Sequence, residues 1–121
     1  MKNLVICSLV LLFISCSGNK GMSPSETAKV VAESFYQGDK ATLKKHTTAD
    51  GYANLSSIQD MFAEDKNSES DFKIVDEAMD GEFAWIKYST AFDPKSGVFK
   101  LVQEDGQWKV AHNGPRDKGP F

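Results

Sequence analysis

The segment Phe99–Val110, Phe-Lys-Leu-Val-Gln-Glu-Asp-Gly-Gln-Trp-Lys-Val, has apolar side chains at alternate positions, Phe99 and Leu101 before an Asp-Gly pair and Trp108 and Val110 after it. Alternation of this kind is typical of β-strands with one buried face, and Asp-Gly is a preferred two-residue hairpin turn. If Asp105 and Gly106 form the turn, Glu104 pairs with Gln107. The segment therefore predicts an antiparallel hairpin with a single apolar face.

Two further turn signals lie upstream, Asp80-Gly81 and Asp93–Gly97, and together with the first they divide the chain from Phe72 onward into four strands. A two-residue turn at Asp80-Gly81 would pair Met79 with Glu82, and a four-residue loop at Pro94–Gly97 would bring both hairpins into one meander. The expected inner face then comprises Val75, Ala84, Ile86, Tyr88, Phe99, Leu101, Trp108 and Val110.

The same register predicts a second apolar group on the opposite face, formed by Phe72, Ile74, Phe83 and Trp85, with Ala78 beside them. A sheet that is apolar on both faces needs a cover on each. One hypothesis is an interaction patch for a homodimer or an envelope protein partner. The other is an internal cover, by curvature of the sheet, by the tether or by the C-terminal tail, residues 114–121, and the sequence leaves both hypotheses open.

Helices precede the strands. Ser23 and Glu26 have the spacing of a capping box, Pro24 suits a first helical turn, and Gly38 ends the run, so a helix is predicted between Ser23 and Gly38. Its apolar residues follow at helical spacing: Ala28, Val31 and Phe35.

Two shorter helices are predicted next. Asp39 is a suitable cap for a helix that ends near Thr47–Asp50, and Gly51 is expected to break the pattern. A third helix is expected at about Ser56–Glu64, with a buried face of Ile58, Met61 and Phe62. Helices followed by an antiparallel sheet define an α+β fold.

The N-terminal segment predicts secretion and a lipid anchor. Residues 1–15 carry one cation, Lys2, before an apolar run that is too short to span a bilayer, as in a signal peptide. The end of this segment, Phe13-Ile14-Ser15-Cys16, resembles a lipobox, in which the cysteine receives a diacylglycerol thioether. We expect a signal peptide at 1–15, a lipidated N-terminus and tether at 16–22, a domain at 23–113 and a tail at 114–121.

Composition excludes several classes of site. The chain has 14 basic and 17 acidic residues, a net charge of −3 and no cationic block, so nucleic acid is not an expected partner. Its two cysteines are Cys7, which would leave with the signal, and Cys16, which would carry lipid, so no intramolecular disulfide is expected. No spacing of ligands predicts a metal site, and no motif predicts a cofactor.

Three segments in order resemble domain-of-unknown-function family 4878, small bacterial lipoproteins of the nuclear transport factor 2-like (cystatin-like) superfamily. They are Pro24–Ala28, Phe35–Asp39 and Leu101–Val110. The resemblance spans about Ser23–Asn113 and implies a cone, in which a curved sheet of about four strands wraps a long helix and sometimes leaves a pocket. It implies no reaction, because the family offers no active-site motif to match.

No residue is predicted to be catalytic. His46 at a helix end and His112 at a strand end have no identifiable acidic partner, and each position has a structural explanation. Asp76 and Tyr88 are the residue types of an enolising pair, but the predicted register places them on opposite faces. The expected function is therefore a non-enzymatic envelope lipoprotein that binds a small ligand or a protein partner, on the periplasmic face of the outer membrane or at the cell surface. The alternative is a cone-pocket enzyme, an isomerase or hydrolase acting on a small molecule.

We predict that a metabolically supplied fatty-acid analogue labels the protein through Cys16, and that Cys16→Ser abolishes the label. Cys7→Ser is the matched control and should keep the label, because Cys7 would be removed with the signal. Equal labelling of the wild type and Cys16→Ser would contradict the anchor.

Overall fold

The computed structural model describes residues 22–62, 69–113 and 119–121. Outside these ranges lie the predicted signal peptide, residues 16–21 of the predicted tether, which include Cys16, and residues 114–118 of the tail. Three helices precede four strands: α1 (Pro24–Gln37), α2 (Lys40–Lys45), α3 (Ala49–Phe62), β1 (Lys73–Asp80), β2 (Phe83–Thr90), β3 (Asp93–Glu104) and β4 (Gln107–Ala111). The strands form one antiparallel sheet in the order β1-β2-β3-β4, which confirms the predicted α+β fold.

The first helix begins and ends where the sequence predicts. The Glu26 backbone N–H donates to Ser23 Oγ at 3.2 Å, and the Ser23 N–H donates back to Glu26 Oε1 at 2.9 Å, so the capping box is complete. Gly38 ends the helix at φ 76°, a conformation that glycine adopts without strain. The face of α1 turned toward the sheet carries Ala28, Val31, Ala32 and Phe35, all buried.

The third helix starts seven residues earlier than predicted, at Ala49, and Gly51 does not break it. Thr48 Oγ1 accepts a hydrogen bond from the Gly51 N–H at 3.1 Å, which satisfies an otherwise unpaired amide of the first turn. A Cβ on Gly51 would overlap the carbonyl oxygen of Val110. The glycine is therefore needed because the start of α3 lies directly against β4.

The predicted buried face of α3 is also partly wrong. Ile58 packs against the core, but Met61 and Phe62 are 72% and 45% exposed. The fully buried side chain of this helix is instead Gln59, whose Nε2 donates to the carbonyls of Ser34 and Phe35, each at 3.1 Å. Gln59 Oε1 accepts from Lys40 Nζ at 2.7 Å, so one fully buried amide joins α3 to the end of α1 and the start of α2.

The segment between α2 and α3 pairs with the edge of the sheet. The Thr48 N–H donates to the Val110 carbonyl at 2.9 Å, and the Val110 N–H donates to the His46 carbonyl at 3.0 Å. Thr47 forms a parallel bridge with Val110. These bonds cover one edge of β4 and fix the helices on the sheet.

One predicted turn is confirmed and two are wrong. Glu104 pairs with Gln107 around Asp105 and Gly106, at φ 55° and 78°, as a type I′ hairpin requires. The β1–β2 turn lies one residue later than expected, because Asp80 pairs with Phe83 and leaves Gly81 and Glu82 in the turn.

The β2–β3 connection also differs from the predicted loop at Pro94–Gly97. The turn consists of Ala91 and Phe92, and β3 already begins at Asp93, which pairs with Thr90. The next pair along the ladder is Tyr88 with Gly97, so residues 94–96 form an irregular bulge within β3. A bulge tolerates Pro94 because it needs no ladder hydrogen bond there.

The β1–β2 ladder contains an irregularity that no sequence pattern predicts. Ile74 pairs with Tyr88, whereas Asp76 pairs with Lys87, which leaves Val75 as an extra residue. One extra residue exchanges the two faces of a strand. Consequently Ile74 pairs with an inner-face residue, and Phe72 stacks on the Tyr88 ring with centroids 5.4 Å apart.

The inner face of the sheet packs against α1 as predicted in its centre, where Ala84, Ile86, Phe99, Leu101 and Val110 are buried. Three predicted members differ. Val75 is 51% exposed because of the bulge, and Tyr88 and Trp108 are only partly buried against the core. The cost of truncating Trp108 should therefore fall below that of a fully buried aromatic residue.

Strand β1 forms the open edge of the sheet. Ile74, Val75 and Met79 are exposed on it, and all of its residues except Ala78 are largely accessible. Among the described residues no helix is long and apolar enough to cross a membrane.

We predict that Gly51→Ala destabilises the domain by about 1–3 kcal/mol, the usual cost of overpacking. Helix propensity alone predicts the opposite sign, because alanine is favoured over glycine in a helix by about 1 kcal/mol. Chemical denaturation measures the difference, with Asn54→Ala, an exposed position of the same helix, as the control that should not lose stability. A gain in stability for Gly51→Ala would contradict the close contact with Val110.

Candidate functional site

A pocket of about 200 Å³ lies between the helices and the inner face of the sheet. Helices α1 and α3 form one side, and β2 and β3 form the other. The lining residues are Ala32, Phe35, Tyr36, Leu55, Ile58, Phe62, Tyr88, Asp93 and Phe99. The pocket is thus largely aromatic and apolar, and its polar groups are those of Tyr36, Tyr88 and Asp93. Small-molecule sites commonly combine apolar walls with a few polar groups in this way.

The aromatic residues around the pocket form two groups. On the helix side, Phe35 contacts Tyr36 edge to face at 5.1 Å between ring centroids and Phe62 at 6.0 Å. On the sheet side, Tyr88 packs against Phe99 at 4.6 Å. Because each ring is held by another ring, the walls of the pocket are fixed by packing rather than by the ligand.

Tyr88 owes its position to its cross-strand partner, Gly97. A Cβ at residue 97 would lie 2.5 Å from Cζ and from the hydroxyl oxygen of Tyr88, so any larger residue would displace the ring. Phe72 stacks on the same ring at an interplanar angle of 19°. The phenol is therefore held between a glycine, a phenylalanine and the core.

The main electrostatic effect in the pocket is the burial of the Tyr88 hydroxyl. Burial raises the pKa of the Tyr88 hydroxyl well above its ordinary value of 10.0, and Tyr36 and the negative charge of Asp93 act in the same direction. The phenol thus stays protonated at neutral pH and can donate a hydrogen bond. Asp93 accepts a hydrogen bond from the Lys95 N–H at 2.9 Å, which orients its carboxylate.

The histidines considered from the sequence lie away from this pocket. His46 caps the C-terminal end of α2, where its Nδ1 lies 3.0 Å from the Thr42 carbonyl oxygen. His112 follows the end of β4 and is exposed, and it interacts electrostatically with Asp50. A hydrogen bond from Thr48 is the main reason that the pKa of Asp50 is lowered, and His112 adds a smaller effect in the same direction.

Asp76 and Tyr88 do lie on opposite faces, because Asp76 pairs with Lys87, the neighbour of Tyr88. The carboxylate beside Tyr88 is Asp93, which the sequence analysis assigned to a turn. No local signal identifies it, since the irregular bulge that directs Asp93 toward the pocket depends on the pairing of β2 with β3.

The predicted interaction patch is divided between the two faces of the sheet. Phe83 and Trp85 do share the outer face, but the bulge at Val75 removes Phe72 and Ile74 from it. Trp85 is only 4% exposed. The four residues therefore do not form one patch, because they lie on two faces of the sheet. Association with a partner through Phe83 and Trp85, the pair on the outer face, stays a prediction.

Two groups cover Trp85. Its indole ring lies directly against Gly119, where a Cβ would lie 2.6 Å from Cε2 and Cε3 of the ring. Lys100 Nζ lies 5.9 Å from the Trp85 ring centroid and 4.3 Å from that of Phe83. Trp85 is thus covered from within the chain, as the second hypothesis expects, whereas Phe83 is still 36% exposed.

In the described part of the chain, no three His, Cys, Asp or Glu side chains lie together as a metal site would need.

A solved structure from Campylobacter jejuni, described as an NTF2-like transpeptidase, is similar to this chain with a TM-score of 0.58. The alignment covers 76% of this chain and 100% of that chain, at 18% sequence identity. At this identity the likeness shows the fold alone, which is the nuclear transport factor 2-like fold. No protein-family model and no curated protein matches the chain. Membership of family 4878 and lipidation therefore stay predictions.

We predict that Tyr88 remains protonated in the folded protein at a pH where free tyrosine ionises. Folding raises the pKa of Tyr88, so the folded protein holds this proton more tightly than the unfolded chain does. The contribution of the protonated hydroxyl to the free energy of unfolding is therefore fully present below pH 10 and is lost as the pH rises through the folded-state pKa. Ultraviolet absorbance of tyrosinate during an alkaline titration measures this, with Tyr88→Phe as the comparison. The variant should lose the latest ionisation, and an unchanged titration would show that Tyr88 is not the buried phenol.

Proposed function

We propose that this protein is a membrane-anchored envelope lipoprotein whose cone binds a small ligand without transforming it. One observation carries the binding role: a pocket of about 200 Å³ with aromatic walls, a protonated phenol and a carboxylate. The anchoring role is supported by the lipobox-like sequence that ends at Cys16. The domain would then sit at the end of a short tether on the membrane surface.

The volume of the pocket favours a ligand smaller than a typical drug, since pockets that take drug-sized ligands measure about 300–1,000 Å³. The Tyr88 hydroxyl offers one hydrogen-bond donor, and Asp93 offers acceptors. An apolar ligand with one polar group would bury its apolar part between Phe35, Phe62 and Phe99.

A small ligand is favoured over a protein partner at the outer face of the sheet. Trp85 is buried beneath Gly119, and Lys100 lies over Phe83, so a partner would first have to displace parts of this chain. The cone pocket needs no such displacement.

A cone-pocket enzyme is the second candidate, and the convergence of Tyr88 and Asp93 on one pocket favours it. Acid–base catalysis at neutral pH works best when a catalytic group has a pKa near the operating pH. The raised pKa of Tyr88 moves this phenol away from that range, which supports a role in hydrogen bonding rather than proton transfer.

We predict that fragments of suitable size bind in the cone, and that Leu55→Trp, which fills the pocket, weakens their binding at least tenfold, about 1.4 kcal/mol. Saturation-transfer NMR on the purified protein detects the binding. Met61→Trp is the matched control, because residue 61 is 72% exposed on the same helix and outside the pocket.

Fragments that bind both variants equally, or a protein that binds no fragment, would overturn the ligand-binding role. Recovery of a bound fragment chemically unchanged supports binding without reaction. If the protein instead converts a fragment chemically, and Tyr88→Phe abolishes this conversion, the result would support the enzyme.

A further inference from the structure

We infer that the ligand of the cone pocket is a small organic cation, an ammonium group bearing alkyl substituents. This inference rests on the proposed ligand-binding function and names the chemical class that the pocket would select. It is carried by the position of Asp93 in the pocket lining, by the aromatic walls, and by the fact that none of the ion pairs among the described residues involves Asp93.

Asp93 is a carboxylate that lines an aromatic pocket without an ion-pair partner among the described residues. The ion pairs found there join Lys40 to Asp60, Lys73 to Asp71 and Lys109 to Glu104, and none involves Asp93. Moving a charged group away from water is costly unless an opposite charge compensates it. A ligand that covers Asp93 would therefore be favoured if it carries a positive charge.

The walls of the pocket add a second attraction for a cation. The face of an aromatic ring is negative, and a cation within about 6 Å of its centroid is stabilised, more strongly when water is excluded. Phe35, Tyr36 and Phe62 lie on one side of the pocket, and Tyr88 and Phe99 on the other, with rings at several inclinations. An ammonium group with alkyl substituents can contact ring surface on several sides and still bury its methyl groups.

The charge of Asp93 also disfavours the opposite ligand class. It acts on the hydroxyl of Tyr88, where it opposes the formation of a second negative charge. A carboxylate or phosphate ligand in the same space would meet the same repulsion. Of the charged ligand classes, the pocket thus matches only cations.

The experiment compares two probes of nearly equal shape, choline chloride and its neutral carbon analogue 3,3-dimethylbutan-1-ol. Each is titrated into the purified protein, and binding is followed by chemical-shift changes. We expect choline to bind at least tenfold more tightly than the alcohol. Asp93→Asn should reduce choline affinity at least tenfold, whereas Asp76→Asn, an exposed carboxylate on the outer face, should change it less than twofold.

A second variant, Phe62→Leu, tests the inference independently if Asp93→Asn does not fold. Phe62→Leu removes one ring that is 45% exposed at the pocket while keeping an apolar side chain, so the fold should persist. It should weaken choline binding by about threefold or more and leave the alcohol nearly unaffected.

The outcomes separate this inference from the function on which it rests. Equal binding of both probes, tighter binding of the alcohol, or choline binding unchanged in both variants overturns the cation inference. Fragments that bind in the cone while choline does not would overturn it too, and would leave the ligand-binding function standing. If neither probe nor any fragment binds, both proposals fail.

Discussion

The pairing of the segment 46–48 with β4 is the contact on which the rest of the molecule depends. Two backbone hydrogen bonds, at 2.9 and 3.0 Å, join Val110 to Thr48 and His46. They set where α3 begins, and Gly51 allows that helix to touch the strand without a side chain between them. Since Leu55, Ile58 and Phe62 follow on the same helix, one side of the pocket is positioned from this point.

The opposite side of the pocket depends on the irregular connection between β2 and β3. A regular hairpin would continue the ladder past Tyr88 and leave Asp93 in a loop. The bulge at residues 94–96 instead places Asp93 at the start of β3 and Gly97 across from Tyr88. A backbone irregularity in a sheet often redirects side chains next to a functional site, and here it brings a phenol and a carboxylate to one cavity.

Features that depend on local sequence were predictable, whereas features that depend on distant contacts were not. The capping box of α1 and the Asp105-Gly106 turn involve residues within a few positions of one another, and both occur as the sequence indicates. Gly51 has low helix propensity, yet the contact with Val110, far along the chain, outweighs it. The bulge at Val75 likewise has no local signal and reverses the faces of Phe72 and Ile74, which is why the predicted patch was wrong as a group.

The same separation applies to the candidate site. The alternation of residues correctly places Tyr88 on the inner face. It offers Asp76 as the carboxylate to consider beside Tyr88, whereas the carboxylate that acts on Tyr88 is that of Asp93. Gln59 was missed altogether, because a helical pattern predicts apolar residues at buried positions. The reason for its burial is a tertiary one: its amide forms hydrogen bonds with the carbonyls of Ser34 and Phe35 and with the ammonium group of Lys40.

The open edge of β1 has a consequence for how copies of this protein behave when they are crowded. An exposed strand edge is a template for pairing with another chain, and apolar residues such as Val75 and Met79 strengthen that tendency. Asp76 and Glu77 occupy the middle of this edge, so two edges that met in antiparallel fashion would bring carboxylates together. On a membrane, where the proposed lipid confines every copy to one plane and raises the frequency of collisions, this repulsion would keep neighbouring molecules from joining their sheets into an aggregate.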